Sequence, residues 1–447
     1  MSRAVHVVGG GLAGSECAWQ LASHGQEVVL WEMRPAVETP AHRTGRLAEL
    51  VCSNSLRSDD PHHPSGLLKR EMEVFGSLVL RAAREQAVPA GSALAVDRER
   101  FAAVVSECLE RHPRVEVRRE ELKELPAGEV VIASGPLTSP DLSRRLGELL
   151  GSEHLYFYDA ISPVVEAESL DHTRLFAASR YGKGGGDDYL NAPMDRDGYV
   201  AFREAVLRAE VLPLREFERA LFFEGCLPIE ELARRGEDTL RFGPMKPVGL
   251  RPPTGERPYA VVQLRQENLA RSQYSLVGFQ SRLRWPDQRR VLRLIPGLEQ
   301  AQFVRLGQVH RNTFVNSPVH LDRLYRLKLE PRVRLAGQIT GVEGYLESAA
   351  TGLAAALYMI LERRGREVSP LPATTALGAL ARHLTESDPC RFQPANVNYG
   401  LFPPLPERVS RRGRRAAFAA RSACDLAAWA SSHGLATQPD VAALRAG

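Results

Sequence analysis

The chain has 447 residues, more than one hydrophobic core usually organises, so two domains are expected. Its 44% hydrophobic and 25% charged residues and net charge of +4 match an ordinary globular protein. No apolar run reaches the roughly 18 residues of a membrane span, and no basic-then-apolar leader precedes the first strand, so a cytoplasmic protein without membrane contact is expected.

Six cysteines, at 17, 52, 108, 226, 390 and 424, form neither a CxxC pair nor a metal-like cluster, which argues against a disulfide scaffold and against bound metal. Nearly all the positive charge is arginine; lysine occurs only at 69, 123, 183, 246 and 328. Arginine suits phosphate and base stacking, and Arg408, Arg411, Arg412, Arg414, Arg415 and Arg421 crowd one C-terminal stretch that reads as a phosphate-contact surface or a solvated helix face.

The chain opens with Ala4 to Val8, then Gly9, Gly10, Gly11, Leu12, Ala13 and Gly14, then an apolar-periodic segment from Ser15. This spacing predicts strand, glycine turn and helix. Gly9 permits the turn, Gly11 admits a pyrophosphate, and Gly14 lets helix and strand pack closely. A second strand, Glu27 to Trp31, ends in Glu32, a carboxylate about twenty residues on, where a dinucleotide site needs a ribose acceptor.

Ala48 to Asp59 places Ser53, Asn54 and Ser55 directly behind Cys52, the pattern of a site-lining loop with an accessible thiol. Gly66 to Glu85 has helical spacing, and another helix is expected at Phe101. The apolar run Glu129 to Ala133 ends at Ser134-Gly135, a second nucleotide-facing turn of a doubly wound sheet.

Beyond Pro163 the composition changes, and residues 186–309 are expected to form an inserted domain. Within it, Gly225 and Pro228 flank Cys226 and Leu227, which predicts a thiol displayed at a strand end or turn. The polar segment Gly307 to Pro318 reads as a ligand-facing return. A strand over 332–335 then meets Gly337, Gln338, Gly341, Glu343, Gly344 and Tyr345, before a helix whose small first-turn residues allow close approach to a cofactor. Three glycine or small-residue turns from distant segments favour one long ligand, FAD, as the resident cofactor.

These motifs resemble those of the folate- and FAD-dependent tRNA (uracil-5-)-methyltransferases. The similarity runs through the first turn, Cys52 to Arg57, Phe223 to Glu230, Gly278 to Gln280, Arg311 to Phe314, Ala336 to Gly344 and Gln393 to Gly400. The resemblance implies an α/β fold: a Rossmann-type, glutathione-reductase-like FAD domain from residues 1–185 and 310–447, interrupted by an α+β insertion. It implies methylation of the T-loop uridine of tRNA, with 5,10-methylenetetrahydrofolate as carbon donor, FAD as carrier and reductant, and NADH or NADPH restoring the reduced flavin.

It also implies Cys226 as the nucleophile and Cys52 as its partner near the flavin, with the arginine-rich stretch and the inserted domain as the tRNA platform. A small-molecule flavin oxidoreductase and the related wobble-uridine flavoproteins are the alternatives. Two departures stand out: Ala192 occupies a position where relatives often have cysteine, and His62 and His63 replace the usual amide and small residues, reading as solvated loop histidines or proton shuttles. Tyr345 is read as a folate-stacking or a structural ring, and cysteines 17, 108, 390 and 424 as packing.

Overall fold

A computed structural model describes residues 4–151, 155–160, 162–212, 227–307 and 309–435; Cys226 lies outside the described residues. Its first layer is a five-stranded parallel sheet in the order Val333–Leu335, Val130–Ile132, Val5–Val8, Val28–Trp31, Val115–Arg118. The inner strands are nearly all apolar because helices cover both faces, which leaves no solvated side for alternation. The strand order reverses between Val5–Val8 and Val130–Ile132, which pair in parallel with His6 opposite Val130. That reversal is the switch point at which a doubly wound sheet opens a crevice.

Helices Leu12–Ser23 and Tyr345–Arg363 pack together on this sheet. A Cβ at Gly352 would lie 2.1 Å from the Ala13 carbonyl oxygen. Much of the small-residue run expected to approach a cofactor therefore serves helix–helix contact instead; Ala349, Ala350 and Ala354 are in the core.

The expected single helix over Gly66 to Glu85 is two helices, Pro64–Val74 and Leu78–Glu85. Gly76 turns left-handed at φ +69° between them, and the Ser77 hydroxyl accepts from Leu80 N–H to cap the second. Behind Cys52 the chain is partly strand: Ser55–Ser58 joins Ala93–Val96 and Ala87–Val88 in a three-stranded sheet.

The second large layer is a six-stranded sheet in the order Phe176–Ala177, Tyr189–Met194, Ala260–Gln266, Gln273–Leu276, Val164–Glu166, Phe303–Arg305, antiparallel throughout. Two of its strands precede residue 186. Helices Arg196–Arg208 and Trp285–Leu292 cover one face, where Met194, Phe202, Val262, Leu264 and Phe279 share a core. Ala192 is fully buried in that core opposite Val262, which explains an apolar residue there. Leu155–Ala160 pairs antiparallel with Val309–Phe314, so the chain leaves for this sheet and returns from it along one two-stranded ladder.

Among the described residues no helix is long and apolar enough to cross a membrane, and no group of His, Cys, Asp and Glu side chains could hold a metal ion.

Candidate active site

A cavity of about 150 Å³ opens at the switch point of the parallel sheet. Its walls are Gly9, Gly10, Gly11, Leu12 and Ala13 from the first turn, Glu32 and Arg34 from the second strand, Ser134 and Gly135 from the third turn, and Gly337, Gln338, Tyr345 and Ser348 from the late turn. Four distant segments thus meet at one cleft. Gly14, Gly341, Glu343 and Gly344 are not among the lining residues.

The glycines divide the work by geometry. Gly9 has φ +104°, and a Cβ there would lie 2.5 Å from the Ala133 carbonyl oxygen. A Cβ on Gly14 would lie 1.8 Å from the Gly9 carbonyl oxygen, so helix and strand touch through backbone alone. At Gly11 a Cβ would meet nothing within 4 Å. The helices starting at Leu12 and Tyr345 both begin at the cavity, and neither N-terminus has a side-chain cap. At Leu12 the uncapped N–H groups have no side chain in front of them and suit a pyrophosphate, whereas at Tyr345 the Glu347 carboxylate and the Arg57 guanidinium stand beside Gly344.

Glu32 is 5% exposed and accepts four hydrogen bonds. It accepts from Gly10 N–H at 3.0 Å and from Arg34 through N–H at 3.0 Å, Nε at 2.9 Å and Nη2 at 3.0 Å. Burial pushes this carboxyl up, but the Arg34 hydrogen bonds and charge and the Gly10 N–H outweigh it and hold its pKa below the ordinary value. Arg34 also donates to Thr44 O and Glu49, each at 3.1 Å. The sequence offers one signal for Arg34, its i+2 spacing from Glu32 at a strand end, which puts two side chains on one side, and sequence reasoning missed it. In the late turn, Glu343 acts from behind: its Oε2 accepts from Gln338 Nε2 at 3.1 Å.

Cys52 does not line the cavity, but its neighbour Val51 does. The Tyr345 hydroxyl accepts from Cys52 N–H at 2.6 Å and from Ser53 N–H at 3.2 Å, so this ring at the cavity wall clamps the cysteine loop. Three arginines hold the same loop. Arg98 donates to Leu50 O at 2.9 Å; Arg305 donates to Val51 O at 2.6 Å and Cys52 O at 3.2 Å; Arg265 donates to Ser53 Oγ and Asn54 Oδ1, both at 2.8 Å.

Glu267 pairs with Arg98. Burial, and then the like charge of Arg98, lowers the Arg305 pKa to about 10. Burial likewise pushes the Tyr345 phenol well up. The loop that carries the thiol is therefore held through its oxygen atoms by three guanidinium groups. None of these arginines was legible in the sequence, because Arg265 and Arg305 reach the loop from the antiparallel sheet.

Other expectations resolve differently. The His63 side chain accepts from Ser65 N–H and caps the helix Pro64–Val74, so it is a half-buried structural residue and not a solvated one. His62 takes a hydrogen bond on its carbonyl from the Tyr399 hydroxyl at 2.9 Å. Cys17 is buried as expected, whereas Cys390 and Cys424 are exposed and do not pack. Arg421 donates to the carbonyls of Pro403 and Pro404 at 2.7 and 2.8 Å and braces its own surroundings, while Arg408, Arg411, Arg412, Arg414 and Arg415 are exposed.

A model of the family described as glucose inhibited division protein A matches residues 4–367. The chain is 56% identical over 431 residues to the methylenetetrahydrofolate--tRNA-(uracil-5-)-methyltransferase TrmFO of Geobacter sulfurreducens, covering 96% of this chain and 99% of that one. It is 56% identical over 421 residues to the protein of the same name from Heliobacterium modesticaldum, covering 94% of this chain and 96% of that one.

Among solved structures, Aquifex aeolicus GidA in its form I crystal is similar with a TM-score of 0.69 at 16% identity, covering 99% of this chain and 77% of that chain, and shares the fold. Near-full-length identity separates the first kinship from the second. The chain belongs to the family of methylenetetrahydrofolate--tRNA-(uracil-5-)-methyltransferases.

Proposed function

We propose that the protein methylates C5 of the T-loop uridine of tRNA, with 5,10-methylenetetrahydrofolate as carbon donor, FAD as resident cofactor and NADH or NADPH as the source of electrons. The observation that carries this reading is the 56% identity, over 96% of the chain, to a protein named for that reaction. The FAD unit of this reading is the parallel-sheet layer. The insertion is read as starting before residue 186, a reading supported by the pairing of Val164–Glu166 and Phe176–Ala177 within the antiparallel sheet.

When bound, FAD supplies the one-carbon carrier and the reducing equivalent. The chain's own residues do the rest. The Leu12 helix N-terminus would hold the pyrophosphate, with Gly11 leaving room for it, and Glu32, set in one position by Arg34, would take the adenosine ribose. C5 of uracil is a weak nucleophile, so the Cys226 thiolate adds at C6 and places the electron pair at C5. With the new carbon brought to the methyl level by the hydride equivalent that FAD would supply, loss of the C5 proton and cleavage of the C6–S bond restore the ring. Cys52, held by Tyr345 and three arginines, is the partner thiol for proton handling. The target base lies inside a folded loop and must be extruded to reach the cleft. The exposed arginines 408, 411, 412, 414 and 415 and the antiparallel layer carry the tRNA, and the reaction runs in the cytoplasm.

The test of the nucleophile is Cys226→Ala incubated with a tRNA mini-helix containing 5-fluorouracil. Loss of the covalent adduct seen with the parent protein is the expected result, and an undiminished adduct assigns the attack to another residue.

A further inference from the structure

We propose that the surface around Tyr181, on the flank of the antiparallel sheet, docks an unpaired RNA loop, with Tyr181 stacking on a base and Lys183 and Lys246 contacting phosphates. This rests on the tRNA reading above and names the surface that reading needs.

Tyr181 is 67% exposed and has φ +57°, a left-handed conformation that bulky residues rarely adopt. Three contacts hold it there. Its N–H donates to Gly249 O at 2.8 Å. Its ring lies over Gly249, where a Cβ would sit 2.9 Å from Cζ and 3.0 Å from each Cε. That near-equal spacing puts one ring face on the glycine backbone, and the exposure leaves the other face open. The preceding Arg180 is tied down through Nη1 to Val248 O at 2.7 Å and through Nε to Gln263 Oε1 at 2.9 Å. Val248, next to Gly249 in the chain, is 53% exposed, and Phe242, seven residues before Gly249, is 73% exposed.

The two lysines near this ring in sequence differ from the other three. Of the five lysines, Lys69 donates to Ser58 O, Lys328 to Pro318 O and Val319 O, and Lys123 pairs with Asp141. Lys183 and Lys246 are exposed and their side chains have no partner among the described residues. One lies two residues after Tyr181 and the other three residues before Gly249. Asp188 is turned inward onto Gly91 N–H and Gly185 N–H, which leaves Asp187 as the exposed carboxylate of the loop. Exposed rings beside unneutralised ammonium groups match unpaired bases on a phosphate backbone.

The location fits as well. Gln263, which holds Arg180, and Arg265, which holds Ser53 and Asn54, are two residues apart on one strand. They share a face and are separated by about 7 Å of strand rise. The strand that anchors Arg180 beside Tyr181 is therefore also the strand that anchors the loop behind Cys52.

The test uses full-length, flavin-loaded protein carrying Tyr181→Ala, Tyr181→Phe or the pair Lys183→Gln and Lys246→Gln. Affinity is measured across a salt series for a T-arm RNA hairpin and for the same stem extended as continuous duplex. Tyr181→Ala should lose about tenfold in hairpin affinity at every salt concentration, and Tyr181→Phe should keep it. The lysine pair should reduce the slope of log affinity against log salt by about 1.4. Flavin absorbance and Tm should match the parent in all three.

Unchanged hairpin binding by Tyr181→Ala and by the lysine pair overturns the proposal and leaves the patch to a protein partner. If the parent protein binds the hairpin with these sensitivities yet forms no 5-methyluridine, the reaction assignment fails and the docking surface stands. If it methylates tRNA and the variants bind normally, only the surface fails.

Discussion

Gly11 and Gly14 sit three residues apart in one turn and should respond to alanine in opposite ways. At Gly14 the methyl group has no room against the Gly9 carbonyl, so overpacking should cost about 1–3 kcal/mol, read as a lower Tm. At Gly11 the methyl group touches nothing, so Tm should hold while flavin content of the purified protein falls; full flavin content in Gly11→Ala would take the pyrophosphate away from this turn. Glu32 and Arg34 form the other residue-scale test.

The Glu32 pKa is depressed, so its contribution to stability is present above the ordinary value of 4.5 and is lost as pH falls below it. Arg34→Gln should destabilise the protein by about 3–5 kcal/mol near neutral pH and flatten the acid limb of the denaturation profile. An acid limb as steep as the parent's would mean that Arg34 does not hold this carboxylate. The glycines and Glu32 were readable because their roles follow from local spacing. Arg34 was not read, since its i+2 spacing from Glu32 does not by itself say which cation will meet a buried carboxylate.

At the scale of elements, Glu71 ties three helices together. From the helix Pro64–Val74 it accepts from Ala376 N–H at 2.7 Å and Leu377 N–H at 2.8 Å, the start of the helix Ala376–Glu386, and from the Ser422 hydroxyl on the helix Arg414–Ser432. Burial raises its pKa from 4.5 to about 7, against those three hydrogen bonds. The folded state therefore holds this proton more tightly, and its stabilisation is full below 4.5 and is lost as pH rises to about 7. Glu71→Gln should remove that slope from the stability profile, and a parent-like slope in the variant would assign it to another group.

Strand, turn and helix at the N-terminus were legible because hydrophobic runs and glycines coincide there. The strands Val164–Glu166 and Phe176–Ala177, three and two residues long, carry no period to read, so their place in the antiparallel sheet was not legible. The break between Pro64–Val74 and Leu78–Glu85 was marked by Gly76 and Ser77 and was overridden by the apolar spacing on either side.

Across the whole molecule, the cysteine loop depends on side chains that fold back over great lengths of chain: Arg265 reaches Asn54 across 211 residues and Arg305 reaches Val51 across 254. No spacing rule encodes such long-range pairings, so the loop was readable as a site and its arginine ring was not. The C-terminal arginines divide in the same way, with Arg421 absorbed by proline carbonyls and its neighbours left exposed. Neutralising Arg411, Arg412, Arg414 and Arg415 together should weaken tRNA binding and lower its salt slope by about 0.9 for each phosphate that no longer meets a guanidinium, with flavin content unchanged. Identical affinity at every salt concentration would remove the patch from the interface.

The most direct measurement of the central claim is formation of 5-methyluridine in unmodified tRNA by the yellow purified protein, using methylene-labelled tetrahydrofolate and a nicotinamide cofactor. The account predicts labelled 5-methyluridine that disappears when the folate is omitted; a colourless protein, or product that forms without folate, would contradict it.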